Sequence, residues 1–498
     1  MSTGGYQWDF TVVFRNAHAL LQGLGVTLTI TFYAIIIGTT LGAVVAYAKG
    51  SRSQLLRGLA NAFTDAFRAI PVLVMMIWLF YSFPSFTSFL EFISPIRLDA
   101  QMVSVIALAI YLAAQLADIL RTGLDSIPTG QYDVGRSLGM TAGQIVRYIQ
   151  VPQVVMLTLP AVLGQYASTL LLSSLASVIA VGELLHQAQN IITNQYHALE
   201  VYTAVALLYL AVAWPITYFA KRLSRRSSKT VQAQEDLDEI EVVVPSRSPS
   251  FRLDADSLGF TDKSGNVLVE DISFDLNPGE VLGIFGPSGA GKSTLIRILA
   301  GLIVPSQGRC SWRDHAGLVS QPPRFGYVPQ GLFLWPHLTA TENVALALEA
   351  VDKMTRAEAH QSTNHWLDQL GLAHRRDAKP DTLSGGEAQR VAIARALAAN
   401  PEVFLLDEIT SSLDPELITQ VIGMLSAIVK SGATVIIVSH NYSSVYPLID
   451  KALFIDAGHQ LDFGEKETVF SGRVPRIQSL LSRHAQWEPM PPLVTSND

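Results

Sequence analysis

Charged side chains avoid five stretches of this 498-residue chain. No Asp, Glu, Lys or Arg occurs from Asn16 to Ala48, Ala69 to Leu90, Ala100 to Ala117, Tyr148 to Gly182 or Val201 to Ala220. Each run can supply the ~20 apolar residues that a membrane-spanning helix needs, so about five spans are predicted. The fourth run exceeds one crossing and holds Pro152 and Pro160, which predicts a bend or a part lying against its neighbours. A basic start, a short apolar core and a small-residue cleavage site are missing ahead of the first run, which is therefore expected to be retained.

Lys and Arg fall on one side of these spans. Lys49, Arg52 and Arg57 follow the first, Arg121, Arg136 and Arg147 lie between the third and fourth, and Lys221, Arg222, Arg225 and Arg226 follow the fifth. The other connections hold Glu91, Asp99, Glu183 and Glu200, with Arg97 the one clear base. By the positive-inside rule the N-terminus is expected outside, and everything beyond residue 220 in the cytoplasm. The polar, patterned stretch from 130 to 153 then lies at the inner surface.

After residue 223 the pattern changes. Residues 224–250, "SRRSSKTVQAQEDLDEIEVVVPSRSPS", mix Ser, charge and Pro without helical periodicity and read as a linker. From Phe251 short β-branched runs ("VLGIFG", "EVFLLD", "ATVIIVSH") alternate with helical patterns. The expected architecture is therefore multidomain: an all-α transmembrane domain over 1–223, an α/β domain with a mostly parallel sheet over 251–475, and a tail from 476 to 498.

Composition agrees with a part-membrane, part-soluble chain: 49% hydrophobic, 15% charged, mean hydropathy +0.30. A net charge of -7 and the lack of a basic stripe argue against nucleic acid. The one cysteine, Cys310, allows no intrachain disulfide and reads as an ordinary half-buried residue.

Candidate chemistry concentrates after residue 251. "GPSGAGKST", covering Gly286, Pro287, Ser288, Gly289, Ala290, Gly291, Lys292, Ser293 and Thr294, fits G-x-x-x-x-G-K-[ST] between a strand and a helix. Glycines let backbone N–H groups close around phosphate oxygens at a helix N-terminus. In such a P-loop, Lys292 reaches the β- and γ-phosphates and Ser293 ligates Mg²⁺. A chance glycine turn would not have both the strand and the helix. Asp407 and Glu408 end the apolar strand "VFLLDE", where Asp407 suits Mg²⁺ and Glu408 suits a general base on water.

Between these elements stands "LSGGEAQRVAIARALA", beginning at Leu383. With it, residues 251–475 resemble the nucleotide-binding domain of ATP-binding cassette (ABC) transporters. The resemblance implies that Ser384, Gly385 and Gly386 contact the γ-phosphate held by a partner subunit. It implies that Gln330 in "YVPQ" touches Mg²⁺ and relays its state, that His440 meets the γ-phosphate, and that Asp414 links the two ATP sites. Phe260 aligns with the aromatic residue that stacks on adenine, with three extra residues before the next strand. Ile409 stands where Pro is common, and Glu387 where Gln is common. "SGGE" is also a helix N-cap sequence.

The stretch 130–153, "GQYDVGRSLGMTAGQIVRYIQVPQ", resembles the EAA-type motif of ABC importers, with Gly139 as the motif glycine and Val151-Pro152 at its end. "YDV" at Tyr132 to Val134 replaces "EAA". The resemblance implies a helix–turn–helix that fits a cleft of the ATPase near Gln330; an amphipathic helix lying in the membrane interface is the other reading. "LLQGLGVTLTITFYAIIIGTTLG", "AFRAIPVLV", "LADILRTGLDSIP" and "SSLASVIAVGELL" look like permeases for polar amino acids and opines. Where that family often has a Lys with an Asp or Asn, this chain has Leu171 and Leu172, which points to a neutral or less strongly charged amino acid. Asp118 can face a substrate amino group, pair with Arg121 or meet cytoplasmic water, and Gln115 and Gln165 are further polar candidates.

These readings converge on an inner-membrane importer with permease and ATPase fused. ATP and Mg²⁺ are expected as ligands, and a second copy of the chain and a separate extracytoplasmic solute-binding protein as partners. An exporter half-transporter and a non-transporting membrane ATPase are the alternatives.

Overall fold

The computed structural model describes residues 8–51, 53–82, 99–224, 244–246, 251–314, 317–319, 323–409, 415–471 and 473–482. They form two compact units. The first takes the chain up to Ile127 and again from Pro152 through the helix Ala198–Ser224; the second takes Pro128–Val151 together with the residues beyond the linker.

Among the described residues, four helices are long and apolar enough to cross a membrane: Ala17–Lys49, Ala100–Asp125, Ala142–Ile179 and Ala198–Ala220. The second apolar run departs from a straight span. Among the described residues it yields the helix Val72–Tyr81, bent by 98° from the amphipathic helix Gln54–Ala69, and residues 83–98 lie outside them. The cause is Pro71. A residue before proline is pushed out of the helical region, and Ile70 is extended at φ -89, ψ 124. The ten helical residues of Val72–Tyr81 rise only about 15 Å. The pair makes a fifth span only if taken as one broken crossing.

The fourth run is one continuous helix. It passes through a π-turn at Val146–Gln150, holds Pro160 inside and tightens into a 3-10 turn at Ser173–Ile179. Glu183 follows, and it is no loop acid. It is fully buried and caps the helix Leu184–Gln195, accepting from Leu185 N at 2.9 Å and His186 N at 2.8 Å. Tyr209 adds its hydroxyl at 3.1 Å. Asp118 pairs with Lys49 and Arg68, while Arg121 pairs with Asp125. Of the three readings open for Asp118, pairing with Arg121 within one helix gives way to two cations from other helices. Gly38 and Gly42 let the first long helix pack closely on Ala100–Asp125: a Cβ on either would meet the Ala109 or Ala113 carbonyl at 2.9 or 3.1 Å.

The second unit contains a ten-stranded sheet: β1 (Arg252–Thr261), β2 (Val267–Leu276), β3 (Val281–Phe285), β4 (Gln307–Asp314), β5 (Gly317–Leu318), β6 (Phe325–Val328), β7 (Val403–Asp407), β8 (Thr434–Val438), β9 (Lys451–Asp456) and β10 (His459–Glu465). The order is β5-β4-β1-β2-β10-β9-β3-β8-β7-β6. Strands β9, β3, β8, β7 and β6 are parallel, and β3, β7 and β8 are buried at every position, as strands covered on both faces must be. The other half corrects the expectation of a mostly parallel sheet. β1, β2, β4 and β5 pair antiparallel, as do β9 and β10. The β9–β10 turn, Ala457 at φ 47 and Gly458 at φ 86, has the left-handed pair that a tight hairpin uses.

Candidate functional site

The phosphate loop leaves β3 at Phe285 and enters the helix Lys292–Leu299. Gly286, Gly289 and Gly291 have φ of 149, 80 and 97. A Cβ at Gly286 would lie 2.0 Å from the Ile455 carbonyl, and one at Gly291 2.3 Å from the Leu268 carbonyl. Only glycine fits there. Ser288 and Gly289 form the exposed tip, Ala290 is buried, and Pro287, Ser293 and Thr294 are half-buried. Lys292 is 4% exposed, and its Nζ donates to Gly286 O and Pro287 O, each at 2.9 Å. A buried ammonium, a helix start and a loop that excludes side chains form a cradle fitted to phosphate.

Three expected residues approach the carboxylate of a fourth, Glu408. Glu408 Oε2 accepts from Gln330 Nε2 at 2.8 Å, while Glu408 Oε1 lies 3.6 Å from Lys292 Nζ and 3.9 Å from His440 Nδ1. Glu408 sits at φ 49, a strained conformation held by its N–H donating to Val438 O across the parallel pair. Beside it, Ser293 Oγ donates to Asp407 Oδ1 at 3.1 Å. Burial, reinforced by the Glu408 charge, pushes the Asp407 carboxyl up to about 6. A hydroxyl and a carboxylate side by side suit Mg²⁺, which takes few protein ligands and draws the rest from phosphates and water. Among the described residues no group of three or more His, Cys, Asp or Glu forms a closed metal cage.

The remaining expected residues are dispersed. Ser384 caps the helix Gly385–Ala398 in a capping box with Glu387, and Gly385 and Gly386 form its first turn. Phe260 is half-buried on β1 opposite Val269. Asp414 lies outside the described residues.

The stretch 128–151 is built into this unit. The helix Thr129–Ser137 ends at Gly139, φ 87, with Met140 N donating to Gly135 O and Gly139 N to Arg136 O. This paired closure needs a left-handed residue, hence glycine. Thr141 and Gln144 then restart the helix with a capping box. Val134, Leu138, Ile145 and Ile149 share one buried cluster with Leu295 and Trp335 of the cassette. Polar contacts surround it: Arg297 to Asp133 at 2.8 Å, Gln144 to the Ala350 carbonyl, and His337 Nε2 to Tyr148 O at 2.8 Å. Since a carbonyl only accepts, His337 carries its proton on Nε2, and burial holds its pKa below the usual value.

Two residues outside the motifs tie this stretch to the site. Leu332 and Phe333 follow Gln330 at φ 54 and 44, and the Phe333 ring fills the space over Gly130, where a Cβ would lie 2.1 Å from its Cε2. Arg395, 1% exposed on the helix that Ser384 caps, donates to Leu332 O at 2.7 Å and Phe333 O at 3.2 Å and lies 5.0 Å from the Trp335 ring. A charged residue inside the otherwise apolar run "VAIARALA" is the sequence signal for it.

Comparison with known proteins follows the same division. Residues 38–229 match the family of binding-protein-dependent transport system inner membrane components, and 269–411 match the ABC transporter family. The cassette is similar to the L-cystine import ATP-binding protein TcyC of Bacillus subtilis, 36% identical over 44% of this chain and 93% of that protein. It is similar too to the glutamine transport ATP-binding protein GlnQ of Geobacillus stearothermophilus, 35% identical over 43% of this chain and 92% of that one. A crystal structure of an amino acid ABC transporter with histidines aligns with TM-score 0.40 at 28% identity, over 44% of this chain and 100% of that chain. The chain belongs to the ABC transporter family, a membrane protein with an ATP-hydrolysing cassette and an inner-membrane transport component in one polypeptide.

Proposed function

We propose that two copies of this chain import amino acids into the cytoplasm, taking them from a separate extracytoplasmic solute-binding protein and driving transport by ATP hydrolysis. The cassette's likeness to ATP-binding proteins of amino acid import supports the substrate class. Leu171 and Leu172 supply no charge in the fourth span, which favours a neutral or weakly charged amino acid. The cation-rich connections support a cytoplasmic cassette and an N-terminus outside.

One observation carries the importer reading. The Phe333 ring, three residues after the Gln330 that bonds Glu408, rests on Gly130 of the EAA-like stretch.

Bound ATP supplies a terminal phosphoryl group, transferred to water with a large release of free energy. Lys292 and the backbone N–H groups of the loop from Ser288 to Thr294 hold its phosphates in line. Ser293, Asp407 and Gln330 would hold Mg²⁺, which would neutralise phosphate charge. Glu408 accepts the proton of the attacking water at a carboxylate oxygen, and His440 donates to the terminal phosphate. Phe260 stacks on the adenine. Ser384, Gly385 and Gly386 meet the phosphate held by the second copy, and Asp414 links the two sites. Hydrolysis by the reconstituted chain should rise only with one loaded binding protein among several candidates. Hydrolysis indifferent to every loaded binding protein would remove the importer reading.

A further inference from the structure

Glu387 stands where cassettes commonly have Gln, and its surroundings show how a carboxylate is accommodated there. Its side chain is 4% exposed, three residues from Ser384. Glu387 Oε2 accepts from Ser384 N at 2.8 Å, and Ser384 Oγ accepts from Glu387 N at 3.2 Å. These reciprocal bonds set the backbone and rotamer of the signature serine. A neutral amide can make the same two bonds to Ser384, but a carboxylate brings a full negative charge beside the hydroxyl that would face a polyphosphate. Arg375 meets that charge: its Nε donates to Glu387 Oε1 at 2.6 Å. His374 approaches the same oxygen at 3.7 Å but is largely exposed, and Arg390, one turn on, donates to Gln420 at 3.2 Å. Burial opposes ionisation of Glu387, yet the Ser384 N–H and Arg375, helped by Arg390, hold its carboxyl below the usual range. Arg375 is itself anchored. It closes the 3-10 turn Ala373–Arg375, and this loop is bonded by Ala340 N to Ala378 O at 2.8 Å and Thr341 N to Arg376 O at 3.0 Å, at the start of the helix Ala340–Ala350.

We propose that Arg375 is a positioning residue for ATP-driven closure of two cassettes: by neutralising Glu387 it lets a carboxylate hold the signature serine against the partner's polyanionic nucleotide. This rests on the reading that Ser384 meets the second copy's ATP. The site predicts a charge dependence that packing alone does not produce. Truncating Arg375 strands a buried anion beside the incoming phosphates, while converting Glu387 to Gln removes the need for Arg375.

The test uses the full chain in detergent or nanodiscs, with steady-state ATP hydrolysis and thermal melting. Arg375→Met, which keeps the apolar stem, should raise the KM for ATP about tenfold, the scale of one lost charge-assisted bond, with kcat at saturating ATP largely kept. In the Glu387→Gln background, whatever KM that variant sets, adding Arg375→Met should shift it by no more than about twofold, since the stranded charge is gone. Should Arg375→Met fail to fold, Arg375→Lys replaces it and should give a smaller rise in KM, again erased by Glu387→Gln. An unchanged KM, or a rise in KM that persists in the Glu387→Gln background, overturns the proposal. Ser384→Arg serves as the separate control: if it leaves hydrolysis intact, Ser384 does not meet the partner's nucleotide, whatever Arg375 does.

Discussion

Arg297 Nη2 lies 2.8 Å from Asp133 Oδ2, so the helix that starts at the phosphate loop is bonded to the EAA-like stretch 128–151. The pair is unequal in exposure, 35% for Arg297 and 10% for Asp133. Asp133→Ala should therefore leave a half-shielded cation without its carboxylate. Exchanging the charges, Asp133→Arg with Arg297→Asp, should recover part of the loss. A double-mutant cycle on thermal stability should give a coupling of about 1 kcal/mol, between exposed and buried pairs. Strict additivity would show that the two do not interact.

Gly130 and Phe333 give a steric test free of backbone strain. Gly130 is inside a helix, unlike Gly139, whose left-handed φ penalises any replacement. Gly130→Ala should cost about 1–3 kcal/mol through overpacking against Phe333 and uncouple hydrolysis from substrate. Phe333→Ala added to it should restore folding stability, because the colliding ring is removed. Stimulation by a loaded binding protein, measured in both variants, should vanish in the first.

Asp407 predicts how Mg²⁺ dependence changes with pH. Its folded value, raised to about 6 from 3.8, means the folded protein without ligands keeps a proton that the unfolded chain has lost. The protonated carboxyl favours the folded state at low pH, and this contribution fades as pH rises through about 6. A cation reverses the preference by favouring the ionised form. The Mg²⁺ concentration for half-maximal hydrolysis should thus increase as pH falls through about 6. Titrations on either side of that value check it, and an unchanged requirement would mean Asp407 does not bear on the metal.

What could be read from the chain was local. The phosphate loop, the Asp407-Glu408 pair and Gly139 depend on short spacings within single turns of the chain. Contacts across the fold leave no such trace. Asp118 takes partners 69 and 50 residues away, so its neighbour Arg121 was the nearer candidate on spacing alone. Glu183 looks like a loop acid between apolar runs, yet it is buried and caps an amphipathic helix whose 3.6-residue pattern begins just after it. A count of charges passes over Pro71, where the second run turns. Neither Asp133 nor Arg297 signals its partner, since each belongs to a separately recognisable stretch. Arg395 shows only as a cation among apolar neighbours.

The most direct measurement is movement of a labelled amino acid across proteoliposomes carrying the chain, with ATP on the cassette side and a loaded solute-binding protein on the other. Wild type and Glu408→Gln are compared, with nucleotide binding measured in both. The expected result is ATP-dependent transfer toward the cassette side by wild type, and a loss of about 10²–10⁴-fold in Glu408→Gln with ATP binding retained. Transfer in the opposite direction, or transport that survives in Glu408→Gln, would contradict an importer driven by hydrolysis at this site.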